Sequence, residues 1–224
     1  MEYDDIDKNE MMERRKLKIQ QYLESKEYIP MKRKDICTML SVPKEDRQYF
    51  EQIVNELLEE GKAVETKKGK LMSPKVLNME QGTFLAHSKG FGFVEREQGE
   101  DIFIPANQIN GAMHKDKVLY RVNRKEEYGK RAEGEIVKIL KRGNIKIVGT
   151  FEQCKGFGFV LPDNKRVTKD IFISKENSMG AVTGHKVVAE ITVYGDETKN
   201  PEGEIIEILG HINDPGVDIL SIIR

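Results

Sequence analysis

The chain has 224 residues, 38% hydrophobic and 33% charged, with a formal charge of -1. That length exceeds one small module and fits two or three domains, while the supply of Ile, Val, Leu and Phe excludes wholesale disorder. No run approaches the roughly 20 apolar residues of a membrane-spanning helix, and the acidic N-terminus lacks the pattern of a secretory signal, so a cytoplasmic protein is expected. The two cysteines, Cys37 and Cys154, lie far apart without Cys or His partners, which supports neither a disulfide framework nor a zinc site.

Residues 1–13 read as an acidic tail. Beyond it, Leu17, Ile19, Tyr22 and Leu23 have the spacing of an amphipathic helix, and Ile36, Leu40 and Val42 suggest a short second one between Pro30 and Pro43. Phe50, Ile53, Val54, Leu57 and Leu58 mark a third, stopped by Gly61. A hairpin over 63–72 follows, with Lys67, Lys68 and Lys70 at its tip. Three helices and a hairpin over 14–77 predict a winged helix-turn-helix. That fold often places its third helix in the major groove of DNA. Residues 44–60, however, carry two basic against six acidic side chains, which repels phosphate and argues against sequence-specific DNA as a partner. The tip lysines, with Arg14-Arg15-Lys16 and Lys32-Arg33-Lys34, are candidate contacts to a nucleic-acid backbone.

The rest of the chain contains an internal repeat. Gly82-Thr83-Phe84, Lys89-Gly90-Phe91-Gly92-Phe93-Val94, Asp101-Ile102-Phe103-Ile104 and Glu133-Gly134-Glu135-Ile136 return as Gly149-Thr150-Phe151, Lys155-Gly156-Phe157-Gly158-Phe159-Val160, Asp170-Ile171-Phe172-Ile173 and Glu202-Gly203-Glu204-Ile205. Short β-forming runs punctuated by Gly, Asn and Pro predict two small all-β units, 78–143 and 144–210. The overall fold class expected is therefore α+β and multidomain. Charge segregates between the copies: residues 81–145 hold 12 basic and 9 acidic side chains, residues 146–210 hold 8 and 10.

Strand alternation puts Ile102 and Ile104 on one face and Phe103 on the other, and sets Phe91 and Phe93 together on a single face. Pairing the two strings gathers Phe91, Phe93 and Phe103, and in the second copy Phe157, Phe159 and Phe172. Beside Lys89 and Lys155, outward rings of this kind form a platform for unpaired bases, each stacked base worth about 1–3 kcal/mol. The intervening glycines are expected to let a ligand approach the backbone closely. The competing reading buries the rings as core.

These strings resemble the two ribonucleoprotein motifs of cold-shock domains, which implies five-stranded OB barrels binding single-stranded RNA or DNA. That family usually adds a Trp on the first strand and a His after the second motif. Here there is no Trp, Pro105 and Ser174 occupy the His position, and Phe84 is expected to stand in for the Trp. The order of domains resembles the N-terminal half of the bacterial ribonuclease R family of RNB-type 3′–5′ exoribonucleases. The resemblance implies single-stranded RNA as partner and a following hydrolytic domain that holds magnesium. In this chain it implies no catalytic residue, no metal site and no cofactor. Residues 211–224, with Val217, Ile219, Leu220, Ile222 and Ile223, read as the start of that next domain, uncovered here. Two other functions share the sequence features: a stand-alone RNA chaperone trapping bases on the same rings, and a winged-helix regulator of duplex DNA.

Overall fold

The computed structural model describes residues 2–124, 131–195 and 198–217. The chain forms two compact units, residues 1–81 and 82–224.

In the first unit the helices α1 (Glu2–Glu24), α2 (Arg33–Met39) and α3 (Arg47–Glu59) accompany a small sheet of β1 (Met31–Lys32), β2 (Val64–Glu65) and β3 (Lys70–Met72), ordered β1-β3-β2. Phe50, Ile53, Val54 and Leu57 recur at helical spacing and so share one stripe of α3. That stripe is buried in a core with Ile19, Leu23, Ile36 and Leu71. Gly61, at φ +66°, ends the helix in a conformation that favours glycine. Residues 2–13 of the expected acidic tail are helical, because α1 begins at Glu2. No Gly or Pro interrupts residues 2–24, and their Glu, Lys, Met and Gln are strong helix formers.

Two of the basic runs are committed within the fold. Lys16 is 5% exposed and donates to Glu60 and, at 3.1 Å, to Glu56 Oε2, while Arg15 lies 3.6 Å from Asp46. Arg33 donates to Glu51 and Glu65, both at 2.9 Å. The acidic face of α3 is thus matched by bases of α1 and α2. This removes Arg15, Lys16 and Arg33 from the candidate nucleic-acid contacts.

The second unit holds two closed five-stranded barrels. The first runs β4 (Met79–Ala86), β5 (Gly92–Glu95), β6 (Ile102–Ile104), β7 (Lys117–Arg124) and β8 (Glu133–Lys141), ordered β4-β5-β6-β8-β7. The second runs β9 (Lys146–Gln153), β10 (Phe157–Pro162), β11 (Ile171–Ser174), β12 (His185–Val193) and β13 (Glu202–His211), ordered β10-β11-β13-β12-β9. In each, the third and fifth strands pair in parallel and the other pairings described are antiparallel. Alternation along the strands turns Phe84, Val94, Ile102, Ile104, Tyr120 and Ile136 into one interior, and Phe151, Val160, Ile171, Ile173, Val187 and Ile205 into the other.

The closing peptide differs from expectation where it is described. β13 continues to His211, and Val217 is buried, its Cγ2 placed against Gly210. Ile219, Leu220, Ile222 and Ile223 lie outside the described residues.

Candidate nucleic-acid interface

The pairing of β5 with β6 sets Phe93 opposite Phe103 and Gly92 opposite Ile104. Ile102 and Ile104 are buried, so the alternate residues must point outward. Phe91, Phe93 and Phe103 accordingly form a half-buried triangle with centroids 5.6–5.8 Å apart. In the second barrel Phe159 faces Phe172, and Phe157, Phe159 and Phe172 are 5.6–5.9 Å apart. Phe157 is 37% exposed. The rings lie outside both barrel interiors. Lys89 and Lys155 are exposed in the turns that lead into β5 and β10.

The glycines between the rings have another task than admitting a ligand. A Cβ on Gly92 would lie 2.3 Å from the Phe84 ring, and one on Gly158 2.4 Å from the Phe151 ring. Their bare α-carbons face inward and make room for a core aromatic. Phe84, fully buried beneath β5, is likewise no substitute for a platform Trp. The first-strand residue on the ring face is Leu85, paired with Phe93.

Two participants escape the sequence reading. The imidazole of His87 stacks on Phe91 at 4.4 Å and 9°. Arg131 holds its guanidinium carbon 5.5 Å from the centre of the Phe93 ring, within cation–π range. The backbone N–H of His87 donates to Phe91 O, and that of Cys154 donates to Phe157 O, each at 2.8 Å. Cys154 is thus the counterpart of His87 in the second barrel, and the second cluster has no imidazole at that place. The only sequence signal for His87 is its place in the turn before Phe91.

A cleft of about 460 Å³ opens beside the first cluster, lined by His87, Phe91 and Asn110 from one barrel and by Arg166, Lys169 and Pro201 from the other. His114 is nearby in the fold and 2% exposed; burial, then the charges of Arg166 and Lys115, push its pKa down, which favours the neutral ring. In the first unit Lys67, Lys68 and Lys70 are exposed about the β2–β3 turn. Among the described residues no three His, Cys, Asp or Glu side chains are grouped to hold a metal, and no helix is long and apolar enough to cross a membrane.

Closed five-stranded barrels with outward rings on their second and third strands define a pair of OB-type domains of the cold-shock class. Residues 82–139 match the ribonuclease B OB domain and residues 159–224 the cold shock domain. The chain carries the N-terminal domains of the ribonuclease R family. It is 30% identical to ribonuclease R of Thermotoga maritima over 93% of its own length and 29% of that protein's. It is 31% identical to ribonuclease R of Vibrio parahaemolyticus over 88% of its length and 24% of that protein's. The chain therefore spans less than a third of these two curated relatives. The structure of Mycoplasma genitalium RNase R, solved in its apo form and in complex with ribose methylated single-stranded RNA, has a similar fold. It shows a TM-score of 0.57 and 20% identity over 64% of this chain and 23% of that one.

Proposed function

We propose that this chain is the RNA-capturing region of a 3′–5′ exoribonuclease, holding single-stranded or partly structured RNA and feeding it to a hydrolytic domain. The observation that carries this reading is the repeated triangle of rings on the outer face of each barrel beside an exposed lysine. Unpaired bases stack on such rings while Lys and Arg meet the phosphates. The Mycoplasma relative, bound to single-stranded RNA, supports the same partner.

On this reading the domains fall at 14–77, 78–143 and 144–210, and the first is a winged helix-turn-helix whose Lys67, Lys68 and Lys70 touch the RNA backbone. Its three helices and β2–β3 turn support that assignment. A duplex-reading role for α3 is disfavoured, because the segment is acidic on balance and the cations beside it, Lys16 and Arg33, are engaged by Glu56 and Glu51 and so withheld from phosphate. Cleavage and the magnesium it needs are assigned to the length of the relatives that this chain does not cover. The proposed setting is the cytoplasm.

Fluorescence anisotropy with a single-stranded oligouridylate tests the reading. Replacing Phe91, Phe93, Phe103, Phe157, Phe159 and Phe172 together by Ala is expected to weaken binding by about ten-fold or more, with the β-sheet circular dichroism retained. Unchanged affinity in a folded variant overturns it.

A further inference from the structure

The two ring clusters are nearly superimposable in composition, yet their borders differ in charge. In a sheet, directly paired residues present their side chains on the same face. In the first barrel Phe93 is paired with Leu85, and in the second its counterpart Phe159 is paired with Glu152. Phe103 lies beside Glu133 and Phe172 beside Glu202, so both barrels place a carboxylate there. What neutralises it is different. Glu133 is paired with Arg124, whose Nη1 is 3.7 Å from the carboxylate, whereas Glu202 is paired with Val193. Arg131, over the Phe93 ring, precedes Glu133 by two residues, and Asn200 holds the same place before Glu202.

Three exchanges favour the first platform, Leu85 for Glu152, Arg124 for Val193 and Arg131 for Asn200, and one runs the other way, the exposed Glu95 at the end of β5 for Leu161. Counted together they leave the number of carboxylates equal, but set one directly beside the central ring of the second cluster, and remove two guanidiniums from its border. Glu152 and Glu202 are both exposed, and among the described residues neither has a cation within 4.0 Å. The lysine before each motif, Lys89 or Lys155, is common to both and cancels in the comparison.

We propose, resting on the RNA-capturing reading, that the two barrels are unequal: the first is the phosphate-tolerant platform that grips single-stranded RNA, and the acidic border of the second keeps its rings from holding RNA tightly. A strand whose bases lie on the Phe157–Phe159–Phe172 cluster must bring its phosphates near Glu152 and Glu202. Each carboxylate about 6 Å from a phosphate weakens binding by about three-fold even at the dielectric of water. Over the first cluster the same phosphates meet Arg124 and Arg131, and His87 adds a further ring.

The test uses the full chain and a single-stranded oligouridylate of about 12 nucleotides, within the span of one OB barrel. Phe91, Phe93 and Phe103 replaced by Ala are expected to lower affinity at least ten-fold, and Phe157, Phe159 and Phe172 replaced by Ala no more than about two-fold. An equal or larger loss from the second set, with circular dichroism unchanged, overturns the inequality while leaving the capture reading intact. If neither set weakens binding in folded protein, the capture reading itself fails. A gain-of-function arm guards against loss by misfolding. In the background lacking the first three rings, the surface changes Glu152→Leu, Val193→Arg and Asn200→Arg are expected to restore affinity by about ten-fold. A folded transplant that binds no better also overturns the proposal.

Discussion

Asp116 is fully buried and accepts a hydrogen bond from Arg142 Nη1 at 2.9 Å, joining the first barrel to the segment that leads into the second. The same carboxylate accepts from the backbone N–H groups of Met113 and Gly143, each at 2.8 Å. The Arg142 guanidinium also donates to Gly111 O at 3.0 Å, and its carbon lies 3.9 Å from the centre of the Tyr194 ring in the second barrel. One residue thereby ties the first barrel to the second. Asp116→Ala leaves a partly buried cation and two backbone donors without an acceptor, at an expected cost of about 3–5 kcal/mol in urea unfolding. Asp116→Asn keeps one oxygen acceptor and is expected to lose less. Equal midpoints for the wild type and the Ala variant would remove the tie from the stability of this unit.

Gly92→Ala and Gly158→Ala drive a methyl group into the Phe84 and Phe151 rings and toward the carbonyls of Leu85 and Glu152. Overpacking at such sites costs about 1–3 kcal/mol, so each variant is expected to melt several degrees lower. Gly90→Ala is a useful contrast: nothing lies within 4 Å of the added carbon, and only the positive φ of +88° resists it. Its melting temperature is expected to fall less.

Charge reversal at Lys67, Lys68 and Lys70 is expected to reduce the salt dependence of RNA binding by up to about one slope unit for each phosphate that these lysines neutralise. Titrations at several salt concentrations measure this. An unaltered slope would exclude the β2–β3 turn from the bound path.

Acid is expected to loosen the first unit. Burial raises the pKa of Glu60, but hydrogen bonds from Lys16 and Lys62 outweigh it, and the carboxyl titrates below its ordinary value of 4.5. A depressed folded pKa contributes stability that is present above the unfolded value and lost as pH falls through the folded one. Glu24 acts in the same direction, chiefly through Lys75. Lys16 has the opposite sign: burial lowers its pKa, the bonds to Glu60 and Glu56 more than restore it, and its contribution disappears above about pH 10.5. The helical circular dichroism signal should therefore melt earlier as pH drops below about 4.5, and Glu60→Gln should flatten that dependence. An acid profile identical in the variant would assign the loss to other carboxylates.

The ring triangles were legible in the sequence because strand alternation has a period of two and the motif occurs twice. Ile102 and Ile104 had to share a face, and that fixed the direction of Phe103. His87, Arg131 and the pairing of Lys16 with Glu56 and Glu60 were not legible, since each depends on a turn or on the packing of elements distant in the chain. The charge count of α3 found its acids but not their partners. The glycines misled for a related reason. A missing side chain serves an outer ligand and an inner ring equally well in one dimension, and only Phe84 and Phe151 in place show which side needs the space.

The strand backbone at Gly92 and Gly158 has a large ring beneath it and no methyl group between. Whatever rests on Phe91 or Phe93 is thus separated from the barrel's interior by a single thickness of peptide, with Phe84 as its foundation. Trimming Phe84 to Leu would let that floor sag, and a change sealed away from solvent would register as poorer grip on the outside. In these barrels a change made in the interior would be read in the same binding measurement as a change made on the outer face.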